Sequence, residues 1–104
     1  MKKYIKSANY GGYHFRYEAH WISPSGNDKL LGGSHTLKGA EQIAMNQAEE
    51  LFNNPFEDDS RKLVFLESLY LYDSETDKDC TTYDLDDYVD RLMSEIDSRK
   101  RQNK

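Results

Sequence analysis

Residues 13–22 alternate without interruption. Tyr13, Phe15, Tyr17, Ala19 and Trp21 occupy the odd positions, and His14, Arg16, Glu18, His20 and Ile22 the even ones. Successive side chains of a strand point to opposite faces, so this spacing predicts a strand with one aromatic face to bury and one polar face turned to solvent. A lone strand cannot cover its own aromatic face, so the fold needs partner strands and a second layer. Gly11-Gly12 breaks the pattern before it, and residues 23–28 (Ser-Pro-Ser-Gly-Asn-Asp) break it afterwards as a hairpin loop. Residues 29–34 then pair back as a second strand, weakened by Gly32-Gly33. Residues 3–7 add an edge strand.

The second layer is written further along. Thr36 is placed to N-cap a helix whose inward positions, Ala40, Ile43, Ala44, Gln47, Ala48 and Leu51, follow the 3.6-residue period until Asn53-Asn54-Pro55 stops it. Leu85, Tyr88, Val89, Leu92, Met93 and Ile96 keep helical spacing without a miss and predict a second amphipathic helix. Its first turn holds Asp84, Asp86 and Asp87, and Arg99, Lys100 and Arg101 lie at its end, each sign complementing the nearby pole of the helix dipole. Residues 61–73 carry apolar side chains at both odd and even positions (Leu63, Phe65, Leu69, Leu71; Val64, Leu66, Tyr70, Tyr72), which reads as a central strand covered on both faces. Residues 81–83 read as a brief return strand.

The expected fold is therefore α+β: a small, mostly antiparallel sheet of three to four strands with two helices packed on one face, in the order β-β-α-β-(β)-α. Residues 1–98 form a single domain, and residues 99–104 a basic C-terminal tail. A chain of 104 residues supports one core of this size and not two. Its longest apolar run falls far short of the roughly 20 residues of a membrane-spanning helix. The opening Met-Lys-Lys leads into no signal-peptide apolar stretch, and the single cysteine, Cys80, fits a reducing compartment, so a cytoplasmic address is expected.

Charge is distributed unevenly. Residues 41–97 hold seventeen acids against four bases, a net of −13, between segments of +4 at residues 1–40 and 98–104. Glu57, Asp58, Asp59, Asp73, Glu75, Asp77, Asp79, Asp86, Asp87, Asp90 and Glu95 make up a candidate acidic surface for a basic partner. The same charges also serve solubility and helix capping. Asp73, Glu75, Asp77, Asp79 and Asp84 stand at positions 1, 3, 5, 7 and 12 of a twelve-residue stretch that resembles an EF-hand calcium loop. Lys78 occupies the position where that loop turns on a glycine, Asp84 stands where a longer glutamate grips the ion, and a strand precedes the loop, so a solvated acidic turn competes with this reading.

An alternative nucleic-acid face comprises His14, Arg16 and His20, with the basic termini beside them. The opening of the strand does not match the register of an RNA-recognition motif, and the acidic total disfavours direct contact with phosphates. Only Glu18 and His20 approach one metal from that strand, and two ligands do not make a site. No catalytic signature, phosphate-binding loop or dinucleotide fingerprint occurs, so no catalytic residue and no cofactor is assigned.

Met1-Lys-Lys-Tyr-Ile-Lys-Ser-Ala8 resembles the start of small proteins carried by phages and mobile elements of Gram-positive bacteria. The resemblance implies an accessory protein, from a class that includes small acidic anti-CRISPR and anti-restriction proteins blocking the DNA-binding channels of host nucleases. The expected function is thus a non-enzymatic inhibitor, monomer or homodimer, that covers the basic nucleic-acid-binding surface of a host protein. A nucleic-acid-binding accessory protein is the alternative, and a small enzyme or calcium-binding module the third.

Overall fold

The computed structural model describes residues 9–10, 13–23 and 25–102. A short hairpin pairs β1 (Asn9–Tyr10) with β2 (Tyr13–His14). The main sheet is built from β3 (Tyr17–Ile22), β4 (Asp28–Ser34), β5 (Tyr70–Asp73) and β6 (Lys78–Asp79) in the order β4-β3-β5-β6, and every pairing is antiparallel. Three helices complete the α+β architecture: α1 (Leu37–Phe52), α2 (Asp59–Ser68) and α3 (Tyr83–Gln102). The edge strand expected at residues 3–7 lies outside the described residues.

Layering follows from the side chains. Ala19 and Leu71 on one sheet face meet Ala40, Ala44 and Ala48 of α1, all fully buried. Small residues let the helix axis approach the strands closely, and at Gly32 an added Cβ would stand 3.2 Å from the Ile43 side chain. α2 also packs on β3, whereas α3 lies across α1 and α2 as a third layer and does not pack on the strands. Leu85, Val89 and Ile96 are the buried face of α3, as their spacing requires. Burying each such aliphatic side chain contributes roughly 1.5–3 kcal/mol.

The helix ends are closed by identifiable groups. Thr36 Oγ1 accepts from Gly39 N at 3.0 Å, the expected N-cap of α1. The C-terminus of α1 borrows its cation from the neighbouring helix: Lys62 Nζ, buried in α2, donates to the Phe52 carbonyl at 2.9 Å. At the start of α3, Thr82 Oγ1 accepts from Leu85 N at 3.2 Å and donates to the buried Glu41 carboxylate of α1 at 2.6 Å.

Two expectations need correction. The central strand expected at residues 61–73 is helical over Asp59–Ser68 and extended only over Tyr70–Asp73. Apolar residues at consecutive positions fit a partly buried helix as well as a two-sided strand, and Asp58, accepting from Ser60 N at 3.3 Å, caps the helix and decides the matter. The return strand is β6, two residues long, and stops before residues 81–83; Thr81 Oγ1 instead accepts from Leu71 N at 2.9 Å. α3 runs through Gln102, so residues 99–102 are helix, and Arg99 lies 4.8 Å over the Phe52 ring with Asp59 Oδ1 at 3.7 Å.

The polar face of β3 is also not solvated. Glu18 and His20 are 0% exposed, and on the same face Tyr70 and Tyr72 of β5 are buried too. A register shift makes this possible. β3 and β4 pair in step from Tyr17↔Ser34 to Ala19↔Gly32, after which His20 pairs with Leu30, leaving Leu31 as the extra residue of a β-bulge. Beyond the bulge Ile22 pairs with Asp28, which places Asp28 on the face of His20.

Candidate functional site

Two groups of polar residues stand out, one inside the sheet and one on the outermost helix. The inner group is a chain of hydrogen bonds across three strands. His20 Nε2 lies 2.8 Å from Glu18 Oε1, two residues away on β3, and His20 Nδ1 lies 2.9 Å from Asp28 Oδ1 on β4. Tyr70 of β5 donates its hydroxyl to Asp28 Oδ2 and stacks on the His20 ring at 5.1 Å, 17° from parallel. Tyr72 approaches the same ring edge-on at 6.0 Å and donates its hydroxyl to Asp77. Asp77 stands at φ 56°, a left-handed turn position that aspartate tolerates better than most residues.

This chain is closed. Both ring nitrogens of His20 are engaged and the ring is fully buried, so it has no free nitrogen for acid-base work on a solute or for a metal. Glu18 Oε2 is buried with no hydrogen-bond partner among the described residues. His20 therefore contributes nothing to the alternative nucleic-acid face. Arg16 of that face is also committed: its guanidinium grips Asp73 through Nε–Oδ1 at 3.1 Å and Nη2–Oδ2 at 3.0 Å, with Glu75 Oε2 at 3.5 Å. His14 lies in β2, away from the main sheet's pairing, so the three residues do not share a strand face.

The acidic residues divide by what they hold. Asp73 receives Arg16 and also accepts from the backbone N–H of Glu75 and Thr76, and its carboxyl is held down to about 2, chiefly by Arg16. Asp79 accepts from Thr81 N at 2.8 Å. With Asp73, Asp77 and Asp79 each turned to a different donor, the loop that resembles a calcium site does not gather its oxygens around one point. No group of three or more His, Cys, Asp or Glu among the described residues is arranged to hold a metal ion. Asp58 caps α2, Glu57 pairs with Arg61 at 3.0 Å, and Asp59 faces Lys62 and Arg99. Cys80 is equally inert: its thiol is pushed up to about 11 by burial, then by the Asp73 and Asp79 charges.

What remains is the outer side of α3. Asp84, Asp86, Asp90, Glu95 and Asp97 are exposed there and make no ion pair among the described residues, while Asp87 is offset by Arg91 at 3.3 Å. Phe56, 96% exposed, projects from the turn between α1 and α2, where its N–H donates to Asn54 Oδ1 at 2.9 Å. Sequence reasoning found the acids of α3 and missed Asp28 and Tyr70, whose meeting with His20 depends on the bulge and on pairing across strands. No helix among the described residues is long and apolar enough to cross a membrane. No family model, curated protein or solved structure matches the chain.

Proposed function

We propose that this is a non-enzymatic binding protein that uses the outer face of α3 to engage a basic protein surface, as an inhibitor covering the nucleic-acid-binding surface of a host protein would. The observation that carries this reading is the contrast among the carboxylates. Those in the loops are mostly spent on caps, ion pairs and turns, whereas Asp86, Asp90 and Glu95 project from a rigid helix with no partner among the described residues. A run of like charge on a fixed scaffold steers and orients a basic partner. The phage or mobile-element setting rests on the resemblance of residues 1–8 alone, and a cytoplasmic address rests on composition.

Affinity capture from host lysate, run in parallel with the native chain and with Asp86→Lys/Asp90→Lys/Glu95→Lys, tests the reading. The native chain should retain a basic protein at low salt and lose it as salt rises, because exposed charges are screened over about 8 Å at physiological ionic strength. The reversed variant should retain none of it while keeping the native circular dichroism. Equal capture by both chains would remove the α3 face from the account.

A further inference from the structure

We infer that Glu18, His20 and Asp28 form a proton-binding site inside the sheet, holding one proton more than a neutral imidazole between two ionised carboxylates would hold. The argument is one of donors and acceptors. An ionised carboxylate only accepts, and a neutral imidazole has a single N–H. Yet both ring nitrogens of His20 lie at hydrogen-bond distance from carboxylate oxygens, 2.8 Å on the Glu18 side and 2.9 Å on the Asp28 side. Two hydrogen bonds need two protons on those two lines. Without the second, a nitrogen lone pair would face a carboxylate oxygen in a fully buried site, which costs more than an unmade hydrogen bond because the two repel.

Among the described residues the surroundings supply no other compensation. On β3 the charged neighbour is Glu18 itself; β4 contributes Asp28; β5 contributes the hydroxyls of Tyr70 and Tyr72; and the turn before β6 contributes Asp77 through Tyr72. No lysine or arginine among the described residues pairs with Glu18 or Asp28. The helices lie on the opposite sheet face and bring none. The extra proton therefore balances one of two carboxylates, Glu18 fully buried and Asp28 mostly so. The Glu18 Oε2 atom, buried without a partner, makes that balance the more necessary.

The consequence is a direction for stability. If the folded state holds a proton that the unfolded chain releases, stability falls as pH rises. The proton ties β4, through Asp28, to β3 and β5, so the outer strand is the element that loosens when it leaves.

Proton release on unfolding is measurable directly. The chain has three histidines, so His14→Gln/His35→Gln leaves His20 alone, and Cys80→Ser removes the thiol, which would also release a proton. Thermal unfolding of this variant at pH about 8, above the ordinary histidine value of about 6.5, is followed by calorimetry in two buffers of different ionisation enthalpy. Release of close to one proton is expected, and release of none overturns the inference. Nitrogen NMR of the native chain supplies a second reading: a lone pair on either His20 ring nitrogen, with Glu18 and Asp28 both ionised, would overturn it too. Glu18→Gln, whose amide can donate to Nε2 without any added proton, should abolish the release. An undiminished release from that variant would show that the proton belongs elsewhere.

Discussion

Arg16 and Asp73 are fifty-seven residues apart in sequence and meet in a two-pronged ion pair, with contacts of 3.1 and 3.0 Å. The pair fixes the chain just before β3 to the end of β5, where the backbone adds Ser74 N to Arg16 O at 2.7 Å. Asp73 also sets the following turn by accepting from Glu75 N and Thr76 N. One carboxylate thus closes both a long-range contact and a local one.

Acid should expose this dependence. The Asp73 carboxyl is lowered from an ordinary 3.8 to about 2, so it is ionised in the folded state at a pH where the unfolded chain takes up a proton. Its stabilising contribution is complete above about 4 and is lost as pH falls towards about 2. Chemical denaturation of the native chain against Asp73→Asn should show a gap at neutral pH that narrows through this window. Removing the carboxylate should cost roughly 1.5–3 kcal/mol at neutral pH, the range for charged hydrogen bonds.

Thr82 is a second point of leverage. Thr82→Ala deletes the cap of α3 and leaves Glu41 without the hydroxyl that donates to it. A cap alone is worth about 1 kcal/mol, and a buried acceptor left short adds to that. Thr82→Ser should recover most of the loss, as read from denaturation midpoints, whereas Asp90→Ala on the same helix should change stability by less than about 0.5 kcal/mol.

Cys80 should resist alkylation. With its thiol pushed up from 9.0 to about 11, the thiolate fraction at neutral pH is about a hundredfold below that of the unfolded chain. Iodoacetamide should modify the native protein slowly and the urea-unfolded protein at the ordinary rate. Comparable rates in the two states would contradict the burial of this residue.

The bulge at Leu31 gives the sharpest contrast between two small changes. Leu31→Ala trims a partly buried side chain, at a cost below the roughly 2–5 kcal/mol of a fully buried leucine. Inserting one alanine between Lys29 and Leu30 shifts Asp28 by one position in the pairing, turns it to the helix-facing side and leaves His20 and Tyr70 without their shared acceptor. The insertion should abolish cooperative unfolding in calorimetry, while Leu31→Ala keeps it at a lower midpoint.

These contrasts also mark where sequence reading stops. α1 and α3 were legible because each has a single apolar face at helical spacing, and the β3–β4 hairpin because a cluster of turn residues separates the strands. α2 was not, since Leu63, Val64, Phe65 and Leu66 are consecutive and carry no period. The even positions of β3 read as solvent-facing because Glu18 and His20 are polar. Their burial depends on partners from β4 and β5, and no local spacing shows a bulge that moves Asp28 across the sheet. The acids of α3 were visible as acids, but which carboxylates the fold spends internally was decided by three-dimensional neighbours.

The position of α3 as a third layer has a further meaning. The helix touches α1 and α2 but not the strands, so a partner seated on its outer face is separated from the His20 chain by a full helical layer. The two features can therefore be altered one at a time: a charge changed on the outer side of α3 should leave the hydrogen bonds of His20 inside the sheet as they are.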